Sequence, residues 1–152
     1  MNNTNHHFTI LMADDDPDDY YLLKEALAEK EINGQLRLVS DGVELIDYLL
    51  LRGRFEKTDE APKPQLILLD LNMPRMDGQQ ALMKIKAIDK IKEIPVVVYT
   101  TSRDDMDIKI SYEAGAHSFI TKPATFQGLL RVADNLKNFL METVKLPGYE
   151  AL

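Results

Sequence analysis

The sequence predicts an α/β fold, a doubly wound sheet of five parallel strands flanked by five helices. Three observations predict it. Short apolar runs alternate strictly with longer stretches of helical period. The runs are continuously apolar, as strands covered on both faces must be. Helix-capping residues stand where the two patterns meet. The 152 residues correspond to one domain at about 150 residues per domain, and a chain of that size buries roughly 70% of its unfolded surface.

The first strand is FTILMA (8–13), followed by a helix over 17–31. Asp16 supplies the N-cap oxygen and Pro17 the preset first-turn φ, while Asp18 and Asp19 face the positive end of the helix dipole. Tyr20, Leu23 and Leu27 share one face of that helix. LRLVS (36–40) reads as the second strand and 42–52 as the second helix. QLILLD (65–70) precedes a helix over 78–89, whose inner face carries Leu82, Ile85 and Ile88. PVVVYT (95–100) precedes a helix over 104–114, closed by Gly115 in a left-handed C-cap. SFIT (118–121) precedes the longest helix, 125–142, with Thr125 as N-cap and a stripe of Leu129, Val132, Leu136 and Phe139. The charged, proline-bearing segment 52–64 is expected to be a solvent loop. Residues 8–142 thus form the domain, with short extensions 1–7 and 143–152 that leave no room for an output domain.

Composition narrows the partners. Without cysteine there is no disulfide framework, thiolate metal site or cysteine nucleophile. A net charge of −7 argues against a nucleic-acid or anionic-membrane binder, whose affinity comes from Lys and Arg neutralising phosphates. The leading MNNTNHH lacks the apolar core of a signal peptide, and LILL and VVVY are too short to span a bilayer, so a cytoplasmic location is expected. His6 and His7 have no acidic or histidine partner at ligand spacing and read as tail residues.

In an open parallel sheet, ligands bind outside the carboxyl ends of the strands where strand order reverses. The first strand ends in Asp14-Asp15-Asp16, and the third in Asp70-Leu71-Asn72. In the flavodoxin-like order 2-1-3-4-5 these two strands are neighbours, so Asp14, Asp15 and Asp70 converge on one cleft. Carboxylates about 4 Å apart repel by on the order of 4 kcal/mol per pair at an effective dielectric near 20. A divalent cation resolves that conflict, and Mg²⁺ suits a sparse all-oxygen site that also holds a phosphate. Thr100, after VVVY, brings a hydroxyl to the same edge, and Lys122, after SFIT, brings a cation.

The ordered motifs ILMADDDPDD, LILLDLNMPRMDG, VVVYTTS and SFITKP resemble the receiver domain of two-component response regulators over 8–142, nearly the whole chain. The resemblance implies that Asp14 and Asp15 are the acidic pair for Mg²⁺, that Asp70 is the phosphoacceptor and metal ligand, and that the Asn72 carbonyl completes the metal shell. It implies Thr100 and Phe119 as the switch pair and Lys122 as the phosphoryl counter-ion. Lys122-Pro123 matches a step that is often cis in the family. The 52–64 segment, IPVVVYTTSRDDMDI, SYEAGAHSFITKP and the LP of the tail are similar to single-domain receivers found beside phytochrome-type histidine kinases.

The implied function is that of a single-domain response regulator. It takes a phosphoryl group from a sensor histidine kinase onto Asp70 and signals through a phosphorylation-dependent surface, with a homodimer through helix four, strand five and helix five as the expected assembly. Asn72 and Ser102 flank the route of attacking water and are expected to tune the phosphorylated lifetime. An aspartyl-nucleophile phosphatase would need an acid two residues after the nucleophile, where this chain has Asn72. A flavin carrier would need a Ser/Thr-rich loop after strand one, where DDDPDD repels phosphate. A phosphorylation-silent scaffold is disfavoured because no member of the acidic set is replaced.

Overall fold

The computed structural model describes residues 8–57 and 59–142; the histidine pair and both extensions lie outside the described residues. The elements in chain order are β1 (Phe8–Ala13), α1 (Pro17–Glu29), β2 (Gly34–Val39), α2 (Gly42–Leu50), β3 (Leu66–Leu69), α3 (Gly78–Lys86), β4 (Val96–Thr100), α4 (Asp105–Glu113), β5 (Ser118–Thr121) and α5 (Phe126–Glu142). All strand pairs are parallel, in the order β2-β1-β3-β4-β5. This is the predicted fold, and strand order reverses between β1 and β3.

The apolar strands divide their side chains between two cores. Leu11, Ala13, Ile67, Leu69, Val96 and Val98 pack with Leu45, Leu82 and Ile85 on the side of α2 and α3. Ile10, Met12, Leu66, Leu68, Val97 and Tyr99 pack with Leu23, Leu27, Leu129, Val132 and Leu136 on the side of α1 and α5. Burial of β1, β3 and β4 on both faces explains why they read as unbroken apolar runs. As an edge strand, β2 starts two residues earlier than its apolar pattern suggests, because its exposed Gly34 and Gln35 carry no such signal.

The expected caps form: Asp16 accepts from the Asp18 N–H, and Thr125 Oγ1 from the Gly128 N–H. Gly115 follows α4 at φ +106°. The first three helices end two or three residues short of their apolar patterns. After two of them the chain turns through left-handed residues, Glu31 at φ 57° and Leu51 at φ 55°. Segment 52–64 is mostly exposed among its described residues, as expected of a solvent loop, but not throughout. It includes a 3-10 turn, Gly53–Phe55, whose phenyl ring is 7% exposed and meets Tyr48 edge-on at 5.0 Å. Among the charges of RGRFEKTDE, one aromatic finds the core. The Lys122-Pro123 bond is likewise not cis, since the described residues contain no cis peptide.

The loop that follows β3 is fastened to α2. Arg75, at φ 64°, donates from Nε to Asp41 Oδ2 at 2.8 Å and from Nη2 to Asp41 Oδ1 at 3.2 Å. Asp41 is also the N-cap of α2, accepting from the Glu44 N–H. The Gly42 N–H donates to the Met76 carbonyl at 3.1 Å. At Gly78, a Cβ would run into the Asp70 carbonyl oxygen, so only glycine lets α3 start this close to the strand end.

Candidate functional site

The carboxyl ends of β1 and β3 bring their acids together. One oxygen each from Asp14, Asp15 and Asp70 lie within 4.8 Å of one another. The parallel register that pairs Ala13 with Leu69 causes this, because the residue after each strand emerges at the same height. Asp14 and Asp70 are buried, while Asp15 is exposed at the mouth. Asp16 stays on the helix cap, where the sequence placed it.

Lys122 arrives from the end of β5 with its side chain 8% exposed. Its Nζ lies 2.7 Å from Asp14 Oδ2, 2.7 Å from Asp19 Oδ2 and 3.2 Å from Asp70 Oδ2. The bonds to Asp19 and Asp70 are directed hydrogen bonds. The approach to Asp14 is close but off-axis, which leaves Asp14 Oδ2 buried without a hydrogen-bond partner. Burial pushes the Asp14 carboxyl up to about 6, against the pull of Lys122 and of the Asp16 N–H on Oδ1. Burial also works against the Lys122 ammonium, but Asp14 and Asp19 outweigh it and hold its pKa above the ordinary lysine value. Beneath the ammonium lies Tyr99, its ring centroid 5.7 Å away, with a hydroxyl that burial pushes up to about 12.

Asp19 is the residue that sequence reasoning missed. Its position in the first turn of α1 already had an explanation in the helix dipole, and only the fold shows that it faces a lysine 103 residues later. The Asn72 N–H donates to Asp70 Oδ1 at 3.2 Å, while the residue itself is exposed. Thr100 is fully buried at the end of β4, opposite Thr121, and its Oγ1 accepts from the Ser102 N–H at 3.5 Å. Phe119 lies in β5, half-buried against the core, and its N–H donates to the Tyr112 hydroxyl of α4 at 3.1 Å.

The donor set fits a hard divalent cation: three carboxylates, no nitrogen or sulfur donor, and one buried carboxylate oxygen lacking a directed partner. A parallel sheet that gathers acids from two strand ends and a lysine from a third, at its carboxyl edge, is the arrangement the receiver-domain resemblance leads one to expect. The chain belongs to the response regulator receiver domain family, whose model matches residues 10–134. The response regulator Rcp1 of Synechocystis sp. (strain ATCC 27184 / PCC 6803 / Kazusa) is 37% identical over 138 residues, 91% of this chain and 92% of Rcp1. Among solved structures, the phosphorylated cyanobacterial phytochrome response regulator RcpA matches with a TM-score of 0.82 at 37% identity, covering 93% of this chain and 99% of RcpA. The Mn²⁺-bound form of Rcp1 matches with a TM-score of 0.80 at 36% identity, covering 92% of this chain and 99% of that one. No helix of the described residues is long and apolar enough to cross a membrane.

Proposed function

We propose that Asp70 is the phosphoacceptor of a response regulator served by a phytochrome-type histidine kinase, and that Mg²⁺ is its metal. The observation that carries this reading is the meeting of Lys122 with Asp14 and Asp70, side chains from three separate strand ends, around one pocket. Asp14, Asp15, Asp70 and the Asn72 carbonyl would hold the cation. When bound, it supplies positive charge to the oxygens of the transferring group.

Asp70 carboxylate attacks the phosphorus of a phosphohistidine. A P–O bond forms as the P–N bond breaks, and the electron pair returns to the imidazole nitrogen. The Asn72 N–H on Oδ1 and the Lys122 ammonium on Oδ2 fix the orientation of the nucleophile before it reacts. Lys122 then offers charge to a phosphoryl oxygen. Thr100 turns its hydroxyl toward the group on Asp70, and Phe119 moves into the space this opens; hydrolysis of the acyl phosphate resets the pair. The partner is assigned from the relatives, Rcp1 and the phytochrome response regulator RcpA. A cytoplasmic location is part of this reading, as is a homodimer through α4, β5 and α5. Met106 and Tyr112 of α4 and Phe126 of α5 are exposed apolar side chains on those elements, the material of a self-association surface.

The test is intact mass after incubation with Mg²⁺ and acetyl phosphate. A labile adduct of one phosphoryl group on the wild type and none on Asp70→Asn supports the assignment. An adduct that persists in Asp70→Asn overturns it, and rapid consumption of many donor equivalents by both proteins points to a phosphatase. Size-exclusion chromatography of the phosphorylated protein tests the dimer.

A further inference from the structure

Beyond Thr100 the chain leaves the sheet and reaches α4 through a segment held by side chains. Ser102 Oγ donates to Asp107 Oδ2 at 2.7 Å and accepts from the Asp104 N–H at 3.2 Å, so the one hydroxyl proton is committed. The other Asp107 oxygen, Oδ1, accepts from Gln79 Nε2 at 3.3 Å. A single carboxylate in the first turn of α4 therefore joins the β4–α4 segment to the first turn of α3. The α3 end is anchored in turn, because the neighbouring Gly78 N–H donates to the Leu71 carbonyl at 2.9 Å, next to Asp70. From the β5 side, Thr121 Oγ1 donates to the Ser102 carbonyl at 3.0 Å. Thr100 Oγ1, by contrast, is held by the Ser102 N–H at 3.5 Å, the limit of such a bond. The hydroxyl is loosely restrained, and the segment that must move with it is tightly restrained.

We propose that Asp107 is a positioning residue for the switch: its bridge from Ser102 to Gln79 keeps the β4–α4 segment where Thr100 faces the Ser102 N–H, and this bridge must yield before the hydroxyl can approach a phosphoryl group on Asp70. The proposal rests on the phosphoacceptor reading above. The bridge works against phosphorylation, so weakening it shifts the population toward the receptive arrangement. Neither Asp107 nor Gln79 belongs to the acidic triad, so Mg²⁺ binding is left alone.

The experiment compares initial rates of adduct formation from acetyl phosphate and Mg²⁺, by intact mass, in wild type, Asp107→Ala, Asp107→Asn, Gln79→Leu, Ser102→Ala and the double variant Asp107→Ala/Ser102→Ala. Mg²⁺ affinity is read in parallel by thermal-shift titration. Asp107→Ala is expected to react about tenfold faster, the factor set by one net hydrogen bond to a charged group. Gln79→Leu, which cuts only the long amide contact, is expected to gain about threefold. Asp107→Asn keeps an acceptor for Ser102 and should fall between wild type and alanine. The double variant should gain nothing over Asp107→Ala, which already removes both contacts of the bridge, and should exceed Ser102→Ala only by the Gln79 contact. A residue that merely stabilised α4 would leave the rate unchanged or lower it, so an Asp107→Ala rate at or below wild type overturns the proposal. Additive gains in the double variant do so as well. A wild type that forms no adduct overturns the phosphoacceptor reading and this inference with it, an outcome separate from normal wild-type labelling with no Asp107 effect.

Discussion

Asp14→Asn should make the metal-free protein more stable at neutral pH. Asp14 is 1% exposed, and its carboxyl is raised from 3.8 to about 6. The folded protein therefore binds the Asp14 proton more tightly than the unfolded chain, so stability falls as pH rises from about 4 to about 6 and levels off above. A shift of about 2 units corresponds to about 3 kcal/mol held against the fold at pH 7.5. Asparagine keeps the Oδ1 acceptor for the Asp16 N–H but sets an amide nitrogen beside Lys122 Nζ, which retains Asp19 and Asp70. The net gain is then about 1–2 kcal/mol. Urea unfolding in chelator at pH 7.5 and at pH 4 reads it directly, with the gain lost or reversed at the lower pH. Mg²⁺ at 100 times its Kd should add about 2.7 kcal/mol to the wild type and much less to the variant. If Asp14→Asn is no more stable than wild type at pH 7.5 in chelator, or gains equally at pH 4, the buried carboxylate is not under electrostatic strain and the reasoning fails.

Lys122→Met should leave Asp14, Asp19 and Asp70 without their shared cation, costing about 3 kcal/mol in metal-free urea unfolding at pH 7.5; Mg²⁺ should recover part of this. Gly78→Ala should cost about 3 kcal/mol and slow labelling of Asp70, since the added methyl must push back the Asp70 carbonyl; unfolding midpoints and acetyl phosphate labelling check both. Asp41→Ala removes the α2 cap and the Arg75 anchor together, with an expected loss of about 1–2 kcal/mol by thermal or urea unfolding. Phe55→Ala should cost about 3 kcal/mol, whereas a ring in a true solvent loop would cost almost nothing.

The parallel sheet and the Asp14, Asp70 and Lys122 positions were legible because each acid or lysine terminates an apolar strand, and a parallel sheet sets all such termini on one edge; the strand order was adopted as the flavodoxin-like one, and the fold has it. Asp19 was illegible for the opposite reason: helix-dipole stabilisation already accounted for it. Phe55 was hidden by its charged neighbours, since periodicity needs several apolar residues to register and a lone ring offers one. The Ser102–Asp107–Gln79 chain depends on how α3 and α4 are set side by side, and no spacing along the sequence encodes that. Left-handed Leu51 and Arg75 were equally silent, because neither residue type advertises that conformation.

The clasp of Arg75 and Met76 onto α2 divides the rim of the sheet into unequal halves. On the function proposed above, chemistry would be received on ground fixed by backbone and guanidinium contacts, and reporting would fall to a flank tied in through side-chain hydroxyls, one carboxylate and one amide. Such a division of labour lets the outward flank be rewritten for a new listener while the receiving half keeps its geometry. Grafting foreign α4 and β5 surfaces onto this chain, with Asp107 and Lys122 kept, should therefore change whom it addresses without altering how it is charged.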